Sequence, residues 1–577
     1  MNIIVIGINA QHSNSSACVS FNGVIEFAIE EERLKRIKNY NGFPYLSLLS
    51  CLEFIKRKTG KTDYHYLAIN NNPLSNLSNK IYKFILLDGN YHKAFKNFFK
   101  KYFIDQFDYY KIKKEKVIHI NHHLSHISSA FLNSNCKNAI GLTLDGFGDS
   151  MSMGIYLCHT NKIKLLHKIS YPHSLGIFYQ SITQYLDFKN YGDEYKVMGL
   201  AAYGKKYLKE VDTLISYKNK YDYKLNLDFF SYKYFGSQLT GEGIPFFNDL
   251  FNKKKFDDLF KYAKNKDLKN FKKDLAYSAQ EKFSEIVLKI ISDLKKDYKN
   301  YDNLCLAGGC FFNSDTVGKI IKNKIFPNIF VYPNPGDAGG AVGAVLQANH
   351  KLNIAHINKK KKKLVYIGPS FANKEVEKSY LEFKAINNIS YNVNFITKFN
   401  ELNSFVANKI SKGKIVAWFQ DEMEWGQRAL GNRSILADPR KKIIINIINK
   451  KIKKREKFRP FAGSVLKEYA KDFFEINANE ESPYMLGVYP VNMNKRHKIL
   501  GITHINNTCR IQTVSKNDNK KFYDLIYAFY KITNIPILLN TSFNINEPIV
   551  CNPMDALNTF HKSDIDYLVI QNFIFKK

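Results

Sequence analysis

In the stretch "INHHLSHISSAFLNSN", residues 120–135, His122, His123 and His126 fall within five residues, and His119 lies just upstream. Imidazoles bind divalent metals, move protons near neutral pH, or simply pack in a core. Spacing narrows the choice. On a helix, His122 and His126 share one face, about one turn apart, and can share an ion. His123 then points elsewhere, and His119 reads as a strand-end residue. Alone, the pair is an ordinary helix face; acidic partners have to come from elsewhere in the chain. Two carboxylates qualify. Asp145, in "LTLDGFGD", ends a buried strand that begins soon after the helix, and Asp337, in "NPGDAGG", lies at a glycine loop. Two imidazoles and two carboxylates form a mixed donor set suited to iron(II) or another divalent transition metal.

A second set is cationic. "EWGQRALGNRS" offers Arg428 and Arg433, "KKREKFRPFAGS" offers Lys453, Lys454, Arg455 and Arg459, and "NNTCRIQTV" offers Arg510. "LLNTSFNINEPIV" adds Asn540, Ser542 and Asn544. Guanidinium forks and ammonium groups neutralise phosphates. Basic residues in a last helical turn can serve the macrodipole instead. Arg459, however, precedes Pro460 in an extended context that serves no helix end, so a bound polyanion such as ATP is the sharper reading. "GLAAYGKK", residues 199–206, nearly matches a phosphate-binding loop. It has Lys206 where a hydroxyl should hold magnesium and follows no convincing buried strand, so that reading is rejected.

These residues need elements to hold them. "NIIVIGI" is a buried strand, and "SACVSFNGVIEFAIEEE" is two alternating strands around Asn22-Gly23, a strong hairpin signal. "AIGLTLDGFGDSMSMGIYLCHTNKIKLLHKIS" repeats the plan, which predicts two related α/β halves. "YDNLCLAGGCFFNSDTVGKII" and "IFVYPNPGDAGGAVGAVLQANH" each run strand, glycine turn, helix. Gly339, Gly340 and Gly343 would let backbone approach a ligand at an anion-favouring helix start. A Lys/Tyr/Phe-rich helical region fills about 205–300. The five lysines at 359–363 repel one another and mark an exposed linker, 356–363, between a first domain, 1–355, and a second α/β domain, 364–577. In the second, "GKIVAWF" is a strand, "KKIIINIINKKIKK" a helix, "IPILLNTSFN" a strand into a loop and "DIDYLVI" the final strand.

Length and composition bound the function. At 577 residues the chain exceeds one hydrophobic core, and 45% apolar residues exclude a disordered chain. The net charge of +34 tempts a nucleic-acid reading. The lysines are instead spread throughout among Asn, Ile and Tyr, which favours a solvated surface and weighs against nucleic acid, though anionic small molecules would still be drawn in. Eight cysteines form no CxxC pair. No zinc ribbon or disulfide framework is therefore expected, and reduced thiols in the cytoplasm are the default. The N-terminus lacks a signal peptide's basic start, and no apolar run reaches a membrane span. A monomer and a homodimer both stay open.

"HHLSHISSAF", "LDGFGD", "EYKVMGLAAYG", "LAGGCFFN", "NPGDAGGAVGA", "EWGQRALGNRSILADPR", "REKFRPFA", "CRIQTV" and "LLNTSFNINEPIV" together resemble the NodU/CmcH-type O-carbamoyltransferase family over essentially the whole chain. The resemblance implies an actin-like, duplicated N-terminal domain and a YrdC-like α/β C-terminal domain. It also implies that the C-terminal domain forms carbamoyl adenylate from carbamoyl phosphate and ATP, with Mg2+ accompanying the nucleotide. A hydroxyl of a sugar or natural product would then take the carbamoyl group in the N-terminal domain and release AMP.

By the same resemblance, His122, His126, Asp145 and Asp337 hold iron, His12 acts as general base or oxyanion donor, and Lys38 lies beside the intermediate. Arg428, Lys453, Arg459, Arg510 and Ser542 bind ATP and carbamoyl phosphate, and Asn313 and Met485 contact the carbamoyl adenylate on its passage. Gln427 and Gly463 stand where proline is frequent, and Asn9 where some members place aspartate, so a neutral partner must do any orienting there. A threonylcarbamoyl-type tRNA-modifying enzyme would account for the charge but not for the second domain's motifs. An actin-like sugar kinase leaves the His/Asp set and the second domain unused, and a non-catalytic nucleotide sensor is the blandest option.

Overall fold

The protein is described from a computed structural model covering residues 2–10, 12–76, 78, 116–160, 162–232, 238–239, 244–246, 248–354, 363–477 and 480–577. The first apolar run forms β1 (Ile4–Asn9), and the alternating segments form β2 (Ser16–Phe21) and β3 (Val24–Glu30). The hairpin between β2 and β3 turns at Asn22 and Gly23, both at positive φ. Two left-handed residues in a two-residue turn match the twist of the flanking strands. β4 (Tyr66–Ile69) and β5 (Val117–His119) complete a five-stranded sheet in the order β3-β2-β1-β4-β5. β1 pairs antiparallel with β2, which pairs antiparallel with β3, while β1, β4 and β5 run parallel.

The plan recurs. β6 (Asn138–Gly148), β7 (Met151–His159) and β8 (Lys162–Ser170) form an antiparallel meander. Two small hairpins follow, β9 (Ile215–Asn219) with β10 (Asp222–Leu225) and β11 (Gln238–Leu239) with β12 (Pro245–Phe246). The strands β13 (Asn303–Ala307) and β14 (Asn328–Val331) then join β6 in parallel. The second sheet is thus β8-β7-β6-β13-β14, the same order and directions as the first. Both sheets belong to a unit spanning Met1–Leu364.

The glycine-rich segment forms the helix Asp337–Lys351, buried from Ala338 to Asn349. A helix without a polar face must be enclosed. The histidine segment forms the helix His122–Phe131, whose start is capped by Asn121 accepting from the Leu124 amide. The two helices come into close contact: a Cβ on Gly343 would lie 1.8 Å from the Ser125 carbonyl oxygen. The glycines therefore admit neighbouring protein rather than a ligand. Gly339 faces the Asn334 carbonyl and Gly340 faces the Asn70 amide, which corrects the expectation drawn from sequence. The rejected phosphate loop is a helix, Glu194–Ala201, and the turn after it.

A separate unit, Val365–Lys577, carries a nine-stranded mixed sheet. Its strands are β15 (Asn392–Phe395), β16 (Val416–Phe419), β17 (Arg433–Ala437), β18 (Ala462–Leu466), β19 (Val488–Pro490), β20 (Thr508–Val514), β21 (Ile537–Ser542), β22 (Tyr567–Ile570) and β23 (Phe573–Lys576). Their order is β15-β23-β22-β16-β17-β21-β18-β20-β19. The expected final strand is β22, but β23 follows it after Gln571, whose positive φ allows a tight reversal. The helix expected at "KKIIINIINKKIKK" is Ile443–Ile447, wound more widely over Ile448–Ile452. Apart from Lys363, the lysine run lies outside the described residues.

Candidate active site

His122 and His126 occupy adjacent turns of their helix, and their Nε2 atoms approach to 2.9 Å. Asp145, near the end of β6, places Oδ2 3.2 Å from His122 Nε2 and 3.7 Å from His126 Nε2. Asp337, the first residue of the glycine helix, places Oδ1 3.4 Å from both. One ligand atom from each of the four residues thus falls within 4.8 Å of the others. The surrounding residues fix these ligands. Ser13 Oγ donates to Asp337 Oδ2 at 2.7 Å, the Gly309 amide donates to Asp145 Oδ1 at 3.0 Å, and Asp149 accepts from the His122 amide at 2.8 Å. A side chain at Gly148 would run into the His122 ring.

Charge decides what such a cluster needs. Burial opposes charging His122, yet its contacts with Asp145 and Asp337 raise it to about 10. His126 is also raised, by the same carboxylates and against burial. Burial pushes both carboxyls upward, but the imidazoles hold Asp145 well below the usual carboxylate range and Asp337 down at about 2. The two carboxylates favour positive charge in the cluster, which protons on the imidazoles or a divalent cation among the four groups can supply. Asp337 Oδ1 points there and makes no hydrogen bond of ordinary geometry among the described residues. The donor set, its burial and this open oxygen fit a divalent transition cation.

The neighbouring histidines do other work. His123 is fully buried between Thr143 Oγ1 at 2.8 Å and the Met151 carbonyl at 2.9 Å; burial lowers it to about 3 and keeps it neutral. His119, at the end of β5, meets the Asn71 carbonyl at 2.8 Å. His12 lies over the cluster, its ring 4.4 Å from that of His122. Asn9, deeply buried, shapes the His12 loop: its Nδ2 donates to the Ser13 and Asn14 carbonyls, and its Oδ1 accepts from Asn70. An aspartate could not make those two donations. Lys38 is exposed in the turn after the helix Glu31–Lys35. Beside it, Asn39 has its amide held by Glu32, and its Nδ2 donates to the Tyr191 carbonyl. Asn313 caps the helix Ser314–Asn323 and exchanges hydrogen bonds with Gln280.

In the second unit the structure sorts the expected cations into two groups. In the first, Arg428 lies within electrostatic reach of Arg510, and Arg510 within reach of Arg459. Burial and then Arg510 lower Arg428 well below its ordinary value; burial and Arg459 bring Arg510 to about 10. Half-buried guanidiniums gathered within reach of one another favour an anion. The Nε of Arg510 has no hydrogen-bond partner among the described residues. Arg459 also meets Glu456 at 3.5 Å. In the second group, Lys453, almost fully buried, donates to the Ser542 carbonyl, to Asn544 Oδ1 at 2.7 Å and to the Asn544 carbonyl at 2.9 Å. Ser542 Oγ in turn donates to Asn544 Oδ1. Arg433 leaves the phosphate-binding set: its guanidinium donates to the carbonyls of Gln420, Asp421, Asn432 and Pro369 and stacks 3.5 Å over Phe419. Met485 is buried at positive φ. That is a strained state for a side-chain-bearing residue, and such states cluster at functional sites.

Sequence reasoning passed over Glu424. Its Oε1 accepts the amides of Leu430, Asn432 and Arg433 at 2.7, 2.7 and 3.1 Å, closing the loop that carries Arg428. An acid shortly before the "RALG" turn was the available signal. Ser13 and Tyr191 were also missed.

Residues 4–346 match the family described as the carbamoyltransferase N-terminus, and residues 407–577 match the carbamoyltransferase C-terminus. The nodulation protein NolNO of Sinorhizobium fredii is 34% identical over 99% of this chain and 82% of its own length. An uncharacterised protein of Methanocaldococcus jannaschii is 32% identical over the full length of both. A crystal structure of full-length HypF in a phosphate- and nucleotide-bound form aligns with 13% identity over 61% of this chain and 56% of that one, at a TM-score of 0.32, too low to weigh in the argument. No helix among the described residues is long and apolar enough to cross a membrane. With both halves matched and relatives similar from end to end, the chain belongs to the carbamoyltransferase family and is a carbamoyltransferase.

Proposed function

We propose that this carbamoyltransferase works in two steps divided between its two units. In the second unit, water takes the phosphoryl group of carbamoyl phosphate to give phosphate and carbamate, and the carbamate oxygen attacks the α-phosphate of ATP and displaces pyrophosphate to form carbamoyl adenylate. In the first, an acceptor hydroxyl on a sugar or natural product attacks the carbamoyl carbon and AMP leaves. The observation that carries the reading is the half-buried group of like charges Arg428, Arg510 and Arg459, set in one chain with the cluster of His122, His126, Asp145 and Asp337. The repeated five-stranded plan of the first unit supports an actin-like reading of it, and the second unit is read as YrdC-like.

Arg428, Arg459 and Arg510 would neutralise the phosphates of ATP and carbamoyl phosphate. Lys453, whose protons go to Ser542 and Asn544, would add its positive charge to the field acting on the polyanion. Iron(II) or another divalent cation, held by His122, His126, Asp145 and Asp337, would supply the positive charge that an adenylate phosphate needs as a leaving group. His12 lies against this cluster and would take the acceptor's proton or donate to the carbonyl oxygen. Lys38, Asn313 and Met485 are proposed contacts of the intermediate.

The test uses the full chain with carbamoyl phosphate, ATP, Mg2+ and a panel of nucleotide-sugars and glycans, followed by mass spectrometry. The reading expects a carbamoylated product together with AMP and pyrophosphate. Transfer of phosphate from ATP to a sugar without carbamoyl phosphate would replace it with the kinase reading.

A further inference from the structure

Asp337 uses its two oxygens differently. Oδ1 faces His122 and His126, and Oδ2 receives the Ser13 hydroxyl at 2.7 Å. A serine hydroxyl has one proton to give, and the ionised carboxylate takes it, so Ser13 Oγ is left as an acceptor. Tyr191 is hydrogen-bonded to Ser13 and lies in the electrostatic reach of Asp337 and Asp145. The consistent direction is Tyr191 Oη–H to Ser13 Oγ–H to Asp337 Oδ2.

Both relay residues are themselves fixed. Asn9 Nδ2 donates to the Ser13 carbonyl at 2.9 Å. Asn39 Nδ2 donates to the Tyr191 carbonyl at 2.9 Å, and a side chain on the next residue, Gly192, with φ of 83°, would meet that same amide at 2.7 Å. The loop carrying Asn9 and Ser13 thus meets Asp337 Oδ2 directly, and the loops carrying Asn39 and Tyr191 are linked to each other and, through Tyr191, to Ser13.

We propose that Tyr191 and Ser13 are positioning residues that hold Asp337 in a single orientation, leaving Oδ1 alone to ligate a divalent cation with His122, His126 and Asp145. The inference rests on the metal reading of the proposed function. Groups that orient a ligand from outside the inner shell set metal affinity, and their loss costs roughly 10–100-fold. Because Tyr191 acts through Ser13, the two should not behave independently.

The experiment is chelator competition for Co2+ on the full-length protein, with far-UV circular dichroism recorded on each variant. Ser13→Ala should weaken Co2+ binding roughly 10–100-fold. Tyr191→Phe should weaken it less, and the double variant should be no worse than Ser13→Ala. Ser13→Thr, which keeps the hydroxyl, should restore tight binding and guards against a folding artefact. Wild-type affinity in both Ser13→Ala and Tyr191→Phe would overturn the inference while leaving the metal site intact. Strictly additive losses would overturn the relay. A wild-type chain that holds no Co2+ would overturn the metal reading and this inference with it.

Discussion

At the scale of single residues, two buried side chains hold loops that carry candidate site residues. Asn9 donates twice to the loop bearing His12 and Ser13. Asn9→Asp replaces two donors with a carboxylate facing two carbonyls, and should cost about 1–3 kcal/mol of stability by denaturant unfolding. Glu424 gathers three amides of the Arg428 loop. Glu424→Ala should free them and raise the KM for ATP more than it lowers metal affinity. Equal ATP kinetics in the variant would show that the loop keeps its shape without the acid. The four candidate metal ligands are legible in sequence because their types are restrictive and their places simple: one helix face, one strand end and one helix start. The residues that hold them are not. Ser13, Tyr191 and Glu424 are common side chains, and their roles exist only through contacts with residues distant in the chain or across a turn.

At the scale of elements, the contact between the histidine helix and the glycine helix sets the site. Gly343 is small for the sake of the Ser125 carbonyl that it meets. Gly343→Ala must push the two helices apart, at a cost of about 1–3 kcal/mol. One helix carries His122 and His126 and the other starts at Asp337, so the same substitution should also loosen cation binding. A variant that melts earlier yet binds the cation as tightly as wild type would separate the packing from the site. Sequence reveals the alternating hairpins and the duplicated plan, because period-two patterning and an Asn-Gly turn are local signals. It does not reveal what the glycines face, because helix packing is not local. The last strand, β23, is hidden because its reversal rests on Gln571 and Asn572 rather than on glycine.

At the scale of the whole molecule, the excess of lysine and arginine carries little information, whereas the buried charges carry much. Half-buried His504, between Thr508 and the Phe461 carbonyl, is lowered to about 4 by loss of solvation, with Arg510 adding to the effect. Between about pH 6.5, the ordinary value of an exposed histidine, and pH 4, the unfolded chain binds a proton that the folded chain refuses. Stability should therefore fall as pH falls through that window, by up to about 3 kcal/mol from this residue. His123 acts in the same direction. His504→Gln should flatten the slope of the unfolding midpoint against pH; an unchanged slope would place the proton uptake elsewhere.

The proposed division of labour between the two units is tested most directly by carbamoyl-phosphate-dependent exchange of pyrophosphate into ATP, measured beside carbamoyl transfer from supplied carbamoyl adenylate. Arg459→Ala should abolish the exchange and retain the transfer. His126→Ala should retain the exchange and lose the transfer, along with bound metal. Loss of both activities in either variant would contradict the account.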